Sequence, residues 1–224
     1  LALERLGAKA YVLRHGFEHS LLDRLEPAAP VIPLTFAGSL SGAPYHRPRV
    51  ELFDRLMRAT PLEVWVAEPA SGIRQRLGRI ARRCLGTRSA DTVRGLRKRH
   101  PDRFHPAIFG KDMFRLLARS SLSLNQDGFS QRAVNMRHFE ATGMGSVLVT
   151  EHKDDLGELF DTEREVVTYR TPEECVEKVR YLLSHESERA AIAAAGQART
   201  LRDHRLEDRA KSLANDLEER LRAL

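Results

Sequence analysis

Apolar positions along the chain fall into two patterns that alternate from residue 31 onward. The run VIPLTFAG at 31–38 is short and β-prone, and RPRVELFDRLMRA at 47–59 then spaces its apolar residues at helical intervals. The same order of strand and then helix recurs until residue 184. Parallel strands joined by right-handed helical crossovers produce this order. The pattern therefore predicts an α/β fold, a Rossmann-like doubly wound parallel sheet of about six strands with helices on both faces.

Five further pairs of elements complete the predicted sheet. The strands are LEVWVAE, RFHPAIFG, SLSLNQ, SVLVTE and EVVTYR, and the helices that follow them are GIRQRLGRIARRCL, KDMFRLLARS, QRAVNMRHFEATG, DLGELF and TPEECVEKVRYLLSH. In the last helix, Thr171 stands three residues before Glu174, which predicts a capping box. Beyond Ser184 the sequence predicts helix to the end, with a break near Asp203 and His204.

The pattern divides the chain into three parts. We interpret residues 1–30 as an interdomain segment or the remnant of a missing N-terminal domain, because LALERLGAKAYVLRHGFEHSLLDRL resembles the tail of an earlier element. Residues 31–184 form the predicted sheet domain. Residues 185–224 form a predicted helical extension at the C-terminus.

The composition is that of a globular chain, since 30% of the 224 residues are charged and 42% are hydrophobic. No apolar run approaches the roughly 20 residues that span a bilayer, and no signal peptide is recognisable. We therefore expect a cytoplasmic protein without a membrane span. Cys84 and Cys175 have no Cys or His at metal-ligand spacing, which argues against a disulfide framework or a zinc site.

The formal net charge of +6 suits an anionic partner such as nucleic acid, a membrane surface or a phosphorylated ligand. Basic residues are, however, interleaved with acidic ones along the predicted helices. The densest basic run, RGLRKRH at 94–100, lacks the aromatic residues that single-strand binders place between their cations. An Arg-rich nucleic-acid binder is therefore a less favoured alternative.

Open parallel sheets bind ligands at the carboxyl ends of their strands, beside helix N-termini that suit phosphate. The loop GSLSGAPYHR at 38–47 lies at one such end and contains Gly38 and Ser39. It matches neither the dinucleotide fingerprint nor the Walker A loop. Arg49, at the start of the next helix, is either a surface residue or a phosphate ligand.

The loop and helix after the fourth strand, NQDGFSQRAVNMRHFEATGMG, contain further candidate ligands. We expect the helix to begin near Ser130 and Gln131, so that its amides point into the cleft. Glu140 offers a carboxylate that can accept two hydrogen bonds from a cis-diol such as ribose, and Gly143 and Gly145 permit tight backbone geometry near a diphosphate.

Two arginines of the same segment offer a contact to phosphate. Arg137 or Arg132 can bind a diphosphate in bidentate fashion. From the residues alone, the alternative stays open that Glu140 is a surface residue and that Gly143 only ends its helix.

Several segments together resemble the C-terminal domain of a GT-B glycosyltransferase. They are FAGSLSG, YHRPRVELFDRL, FGKDMFRLLARSSLSLN, NMRHFEATGMGSVLVTEHKDDLGELF, EVVTYRTPEECVEKVRYLL and RAAIAAAGQARTLRDHRLEDRA. The resemblance covers about residues 30 to 215 and is greatest to the group-1 type of the spore-maturation (CgeB-like) branch. Its most specific part is R-x-F-E-x-x-G-x-G followed by an apolar strand.

The resemblance implies one half of a GT-B fold, in which two Rossmann-like domains face each other across a cleft and the C-terminal one holds the nucleotide of the sugar donor. Glu140 then matches the carboxylate that holds the ribose hydroxyls. The other residues implied for the donor site are Gly38, Ser39 and Arg49 near the diphosphate, Ile108 and Phe109 near the base, and Asn125, Ser130, Gln131 and Arg137 along the cleft.

This chain departs from the family pattern at one position. Many retaining members carry a Glu eight residues before the second Glu, and here that position is Arg132. The donor sugar and the stereochemical outcome therefore stay open. The segment AYVLRHGFEHSLL resembles the join between the two halves, where His15 is either a cleft residue or a structural or solvent-exposed one.

The implied activity is transfer of a sugar from a nucleotide diphosphate sugar to a hydroxyl acceptor, with Arg137 and Arg132 stabilising the leaving diphosphate. No Asp-x-Asp cluster is present in the sequence, so we expect neither a metal nor a cofactor, the nucleotide sugar being a substrate. The isolated domain is expected to be inactive without its N-terminal GT-B partner domain. A non-catalytic module that binds or senses nucleotide sugars is the other alternative.

Overall fold

The computed structural model describes residues 13–40, 47–67, 93–126 and 134–222, and the six strands among them form one sheet. All neighbouring strands are parallel, and their order is β3-β2-β1-β4-β5-β6. The strands are β1 (Ile32–Gly38), β2 (Leu62–Val66), β3 (Phe104–His105), β4 (Ser120–Asn125), β5 (Val147–Glu151) and β6 (Val167–Tyr169). The predicted Rossmann-like sheet is confirmed.

Helices connect successive strands and continue to the C-terminal end. They are α1 (Leu21–Arg24), α2 (Arg47–Ala59), α3 (Val93–Arg99), α4 (Lys111–Ala118), α5 (Met136–Gly143), α6 (Pro172–Ser184), α7 (Glu186–Asp203) and α8 (Leu206–Arg222). The predicted helix DLGELF is only a 3-10 turn at Leu156–Glu158, and the predicted helix GIRQRLGRIARRCL lies outside the described residues. Within the described chain, every helix is too short or too polar to cross a membrane.

The sheet separates two apolar cores because successive strand residues point to opposite faces. In β5, Val147 and Val149 join one core, with side chains of α2, α3 and α6, while Leu148 joins the other, with side chains of α4 and α5. The middle strands are thus buried on both faces. This burial explains their uninterrupted apolar runs in the sequence.

The predicted capping box at α6 is present in a slightly shifted form. The Thr171 hydroxyl accepts a hydrogen bond from the Glu174 amide at 3.2 Å, and the Glu174 carboxylate accepts one from the amide of Arg170 at 2.7 Å. These bonds satisfy amides that the first helical turn leaves without partners. The bond from Arg170 is the main cause that lowers the pKa of Glu174.

The outer edge of β6 is covered by two charged side chains. The Glu163 carboxylate accepts hydrogen bonds from the amide and hydroxyl of Thr168 at 3.1 and 2.8 Å. The Lys178 ammonium donates to the Thr168 carbonyl at 2.8 Å and lies 3.1 Å from Glu163. Both backbone groups of this edge residue are therefore occupied within the domain.

Residues before β1 and after α7 are joined across the second core. The amide of Phe17 donates to the carbonyl of His204, and the amide of Leu206 donates to the carbonyl of Phe17, both at 2.8 Å. The Phe17 ring is fully buried and packs edge-to-face with the Phe114 ring, with the ring centres 6.5 Å apart. The predicted break near His204 is confirmed, and it is the point at which the chain pairs with this early segment.

Gly143, the last residue of α5, and Gly145, two residues later, are placed by close packing and by backbone conformation. A Cβ atom on Gly143 would lie 2.5 Å from Cγ of Phe17, and Gly145 has a φ of 78°, which favours glycine. Both residues precede β5 and so lie at the amino ends of the strands. The expectation that they bring backbone close to a diphosphate is wrong, because the candidate ligand crevice lies at the carboxyl ends, on the opposite side of the domain.

We predict that Gly143→Ala lowers the free energy of unfolding by about 1–3 kcal/mol, because the added methyl group overlaps the Phe17 ring. Urea denaturation measures the change. Gly157→Ala is the matched control, since no atom lies within 4 Å of a Cβ atom there, and it should change the free energy by less than about 0.5 kcal/mol. Equal effects of the two substitutions would contradict this account.

Candidate functional site

The strand order reverses between β1 and β4, and this reversal opens a crevice at their carboxyl ends. The crossover after β1 leads to β2 on one side, and the crossover after β4 leads to β5 on the other, so the loops after these two strands separate. Gly38 and Ser39 follow β1, Asn125 and Gln126 follow β4, and α5 begins close by. We treat this crevice as the candidate site.

Arg49 joins the two loops across the crevice. Its side chain, in a residue only 8% exposed, donates from Nη1 to the Ser39 carbonyl at 2.6 Å and from Nη2 to the Gln126 carbonyl. The guanidinium carbon also lies 5.4 Å from the centre of the Phe36 ring. Arg49 is therefore not a surface residue, and its assignment as a phosphate ligand stays a prediction.

Asn125 is the centre of a buried hydrogen-bond network behind the crevice. Its Oδ1 accepts from Nδ2 of Asn135, its Nδ2 donates to the Thr150 hydroxyl, and its carbonyl accepts from the Tyr169 hydroxyl, each at 3.1 Å. Three strands and one helix therefore meet at this residue. The side chain of Asn125 supports the cleft from within the protein.

Asn135 determines where α5 begins. Its side-chain oxygen accepts a hydrogen bond from the Arg137 amide at 2.9 Å, as an N-cap residue does. The expected start near Ser130 and Gln131 is therefore not where the helix begins. Ser130, Gln131 and Arg132 lie outside the described residues, and their assignment to the donor site stays a prediction.

His138 is fully buried beneath the same helix. Its Nδ1 lies 3.2 Å from both the carbonyl and the side-chain oxygen of Asn135, and its Nε2 lies 3.3 Å from the Thr150 hydroxyl. Burial lowers the pKa of His138 to about 4, and the ammonium of Lys153 also lowers it, while the Asn135 carbonyl opposes the shift. The ring is therefore neutral near pH 7.

Arg137 and Glu140 form a buried ion pair one helical turn apart. Nη1 of Arg137 lies 2.8 Å from Oε2 of Glu140, outside hydrogen-bonding geometry, and the side chains are 14% and 11% exposed. Nη2 of Arg137 donates to the carbonyl of Ala37 at 3.0 Å, and Nη1 contacts the sulfur of Met113. The pair therefore connects α5 with the end of β1 and the start of α4.

Desolvation dominates the electrostatics of this pair. Burial lowers the pKa of Arg137, and the Glu140 carboxylate opposes that shift. Burial likewise raises the pKa of Glu140, against the nearby charges of Arg137 and His15. His15 itself is exposed, and a role for it in the cleft stays a prediction. Glu140 is buried, so its interpretation as a surface residue is wrong.

The residues expected near a nucleobase lie in the loop between β3 and α4. Ile108 is half-buried, whereas Phe109 is 77% exposed and offers its ring to solvent. The loop ends at Gly110, whose φ is 56°, and leads into the turn of α4 that carries Met113. Since Met113 contacts Arg137, this loop adjoins the ion pair.

Sequence reasoning missed three buried polar residues of the site. Gln126 is 7% exposed, and within the described chain its Oε1 has no hydrogen-bond partner. His138 and Thr150 form the network with Asn125. A signal for Thr150 exists in the sequence, because its hydroxyl directly follows the apolar run VLV.

The basic run at 94–100 is partly neutralised by the domain itself. Arg99 and His100 contact the Asp54 carboxylate at 2.9 and 3.2 Å, and the Arg97 guanidinium lies 4.8 Å from the centre of the Phe104 ring. These contacts reduce the support for a nucleic-acid surface there. Among the residues that the structure describes, no three His, Cys, Asp or Glu side chains are grouped to hold a metal ion.

Comparison with known proteins gives a family match and structural neighbours. Residues 69–215, about two thirds of the chain, match the glycosyl transferase-like family. Among curated protein sequences, none matches this chain. Three solved structures with a similar fold are described next.

HepE from Anabaena, solved in complex with UDP and glucose, superposes with a TM-score of 0.68 at 15% identity, covering 97% of this chain and 60% of that protein. Sucrose-phosphate synthase from Thermosynechococcus elongatus has a TM-score of 0.64 at 13% identity, covering 99% and 56%. A glycosyltransferase from Rickettsia africae has a TM-score of 0.66 at 12% identity, covering 94% and 57%. The chain thus spans less than two thirds of each of these proteins, and the likeness concerns the fold.

We predict that His138 makes stability depend on pH. The unfolded ring binds a proton below its usual pKa of 6.5, whereas the folded ring binds one only near pH 4, so stability falls as the pH drops between these values. Because the shift is about 2.5 pKa units, the loss should be roughly 3 kcal/mol. Urea denaturation of the wild type and His138→Gln from pH 7 to 4 measures it. A difference between the two proteins that does not vary with pH would contradict the prediction.

Proposed function

This chain belongs to the glycosyl transferase-like family, and we propose that it is the donor-binding half of a GT-B glycosyltransferase. The enzyme would transfer a sugar from a nucleotide diphosphate sugar to a hydroxyl acceptor. The observation that carries this proposal is the buried carboxylate of Glu140, which lies beside Arg137 at the crevice between β1 and β4. Open α/β sheets bind nucleotides at such a crevice.

Glu140 would hold the ribose of the donor. An ionised carboxylate has only acceptor oxygens, and two neighbouring ribose hydroxyls supply two donors. Burial raises the pKa of Glu140, and the cation of Arg137 opposes part of that rise, which favours the ionised carboxylate. Through its bond to the Ala37 carbonyl, Arg137 also fixes the carboxylate relative to the loop that carries Gly38 and Ser39.

The leaving diphosphate would be stabilised by positive charge that is in place before the reaction. Arg137 supplies one cation, and the N-terminal amides of α5 add the partial positive charge of a helix start. We assign Arg132 the same role, in keeping with its position in the motif. Preorganised charge of this kind stabilises a transition state because no reorganisation is needed during the reaction.

We further propose the group-1 class and its CgeB-like branch, a metal-independent reaction and a cytoplasmic location. The acceptor and its binding residues would belong to an N-terminal GT-B domain, since the chain spans 56 to 60% of the solved neighbours named above. UDP is the first nucleotide to test, because the HepE structure was solved with UDP and glucose.

A non-catalytic module that binds or senses nucleotide sugars would use the same crevice. The two alternatives differ only in whether the complete protein turns over the nucleotide sugar. An Arg-rich nucleic-acid binder would instead need a continuous basic surface, and the contacts of Asp54 weaken that alternative.

We predict that this chain binds one nucleoside diphosphate among UDP, GDP, ADP and dTDP, and that Glu140→Gln weakens this binding by at least roughly tenfold, or about 1.4 kcal/mol. The amide keeps the shape of the side chain but removes the charge that accepts the ribose hydroxyls. Calorimetric titration measures both proteins. Glu173→Gln, an exposed carboxylate on α6, is the control and should bind like the wild type. The absence of binding, or equal affinities in the wild type and Glu140→Gln, would overturn the assignment of Glu140.

We also predict that the affinity of this chain for the nucleotide depends only weakly on salt concentration. A nucleotide presents only two phosphates, so its affinity should fall by less than about tenfold between 50 and 200 mM salt. Titrations with a 20-mer DNA, single-stranded and duplex, provide the comparison. Polymer binding that is tighter than nucleotide binding and falls steeply with salt would favour the nucleic-acid alternative.

A further inference from the structure

Arg49 is the buried cation of the crevice to which the sugar transfer proposed above gives no direct role. It lies in the first turn of α2, with its guanidinium between the loops that follow β1 and β4. Ser39 and Gln126, the residues that it joins, are 87 positions apart in the sequence (126 minus 39) and meet only at this crevice. Among the described residues, the Arg49 side chain therefore joins these two loops directly.

We propose that Arg49 is a positioning residue that holds these two loops at the separation a nucleoside diphosphate requires. This inference rests on the proposed donor site. The guanidinium covers the carbonyl oxygens of Ser39 and Gln126, which would otherwise direct partial negative charge toward the bound phosphates. It acts on the ligand through the backbone of both loops.

The geometry of the guanidinium explains why arginine occupies this position. Its planar fork presents several N–H donors in fixed directions and can bond two carbonyls at once, whereas a lysine ammonium is a compact point charge on a flexible stem. The Phe36 ring lies against the guanidinium and restricts its rotation. The side chain is therefore held in the orientation that both loops need.

A second arginine, on α5, bonds the loop that follows β1 from its other side. Nη2 of Arg137, on α5, bonds the Ala37 carbonyl, while Nη1 of Arg49, on α2, bonds the Ser39 carbonyl. Gly38 lies between these two carbonyls. The turn after β1 is thus fixed on both sides before any ligand arrives, which reduces the ordering cost of binding.

Hydrogen exchange of the nucleotide-free protein tests the connection between the loops. Arg49→Met keeps the length and apolar stem but removes the donors, and it should speed exchange in peptides covering both 34–40 and 120–126 by at least about tenfold. Arg58→Met is the control, because Arg58 is on the same helix but pairs only with Asp54 among the described residues. Unchanged exchange in either loop of Arg49→Met would overturn the proposal.

Titration with UDP and uridine tests the effect on the ligand, or the matching pair if the titration above selects another base. Arg49→Met should weaken the binding of UDP by at least roughly tenfold and the binding of uridine by less than about twofold, because the loops face the diphosphate. Arg49→Lys keeps the charge but can bond only one of the two carbonyls, so it should also lose most of the preference for UDP over uridine. Retention of the preference in Arg49→Lys would mean that the charge contacts phosphate directly and would overturn the positioning role.

The two measurements separate this inference from the proposed function. If the wild type binds no nucleoside diphosphate, the donor site fails and the ligand part of the inference fails with it. The exchange experiment still determines whether Arg49 connects the loops, since it uses no ligand. If Arg49→Met does not fold, as a thermal melt would reveal, Arg49→Lys provides both readouts.

Discussion

The hydrogen bonds of Asn125 are the constraint on which the candidate site depends. This one residue, at the carboxyl end of a central strand, contacts the N-cap of α5, a hydroxyl of β5 and the phenol of β6. A buried amide without these partners would cost roughly 1–3 kcal/mol, so the surrounding elements must meet it in one arrangement. That arrangement places Arg137 and Glu140 on the turn that faces the crevice.

Most of the fold could be predicted because the spacing of apolar residues within short segments indicates each strand and each helix of a parallel sheet. The strand β1 and the helix α2 follow from apolar spacing within single segments, and short crossovers leave few possible topologies. The start of α5 is less predictable, because its cap, Asn135, also bonds Asn125 of β4, and the local sequence does not show this contact.

The candidate site was less predictable, since its bonds connect residues far apart in the sequence. The pairing of Arg137 with Glu140 follows from helical spacing, but the bond from Arg137 to the Ala37 carbonyl spans 100 positions. Arg49 is a candidate cation from the sequence, yet nothing local indicates that it bonds the backbone carbonyls of Ser39 and Gln126. Gly143 and Gly145 were assigned to the wrong end of the sheet because a sequence motif does not show which neighbour a glycine admits.

The covered edge of β6 determines how this domain can meet other proteins. An unprotected edge strand can accept a further strand from another chain, and sheets then continue from one molecule to the next. Here Glu163 and Lys178 use the outward amide and carbonyl of Thr168, and the strand is only three residues long. An incoming strand would have to break both contacts first, so this edge resists the continuation of the sheet into a second molecule.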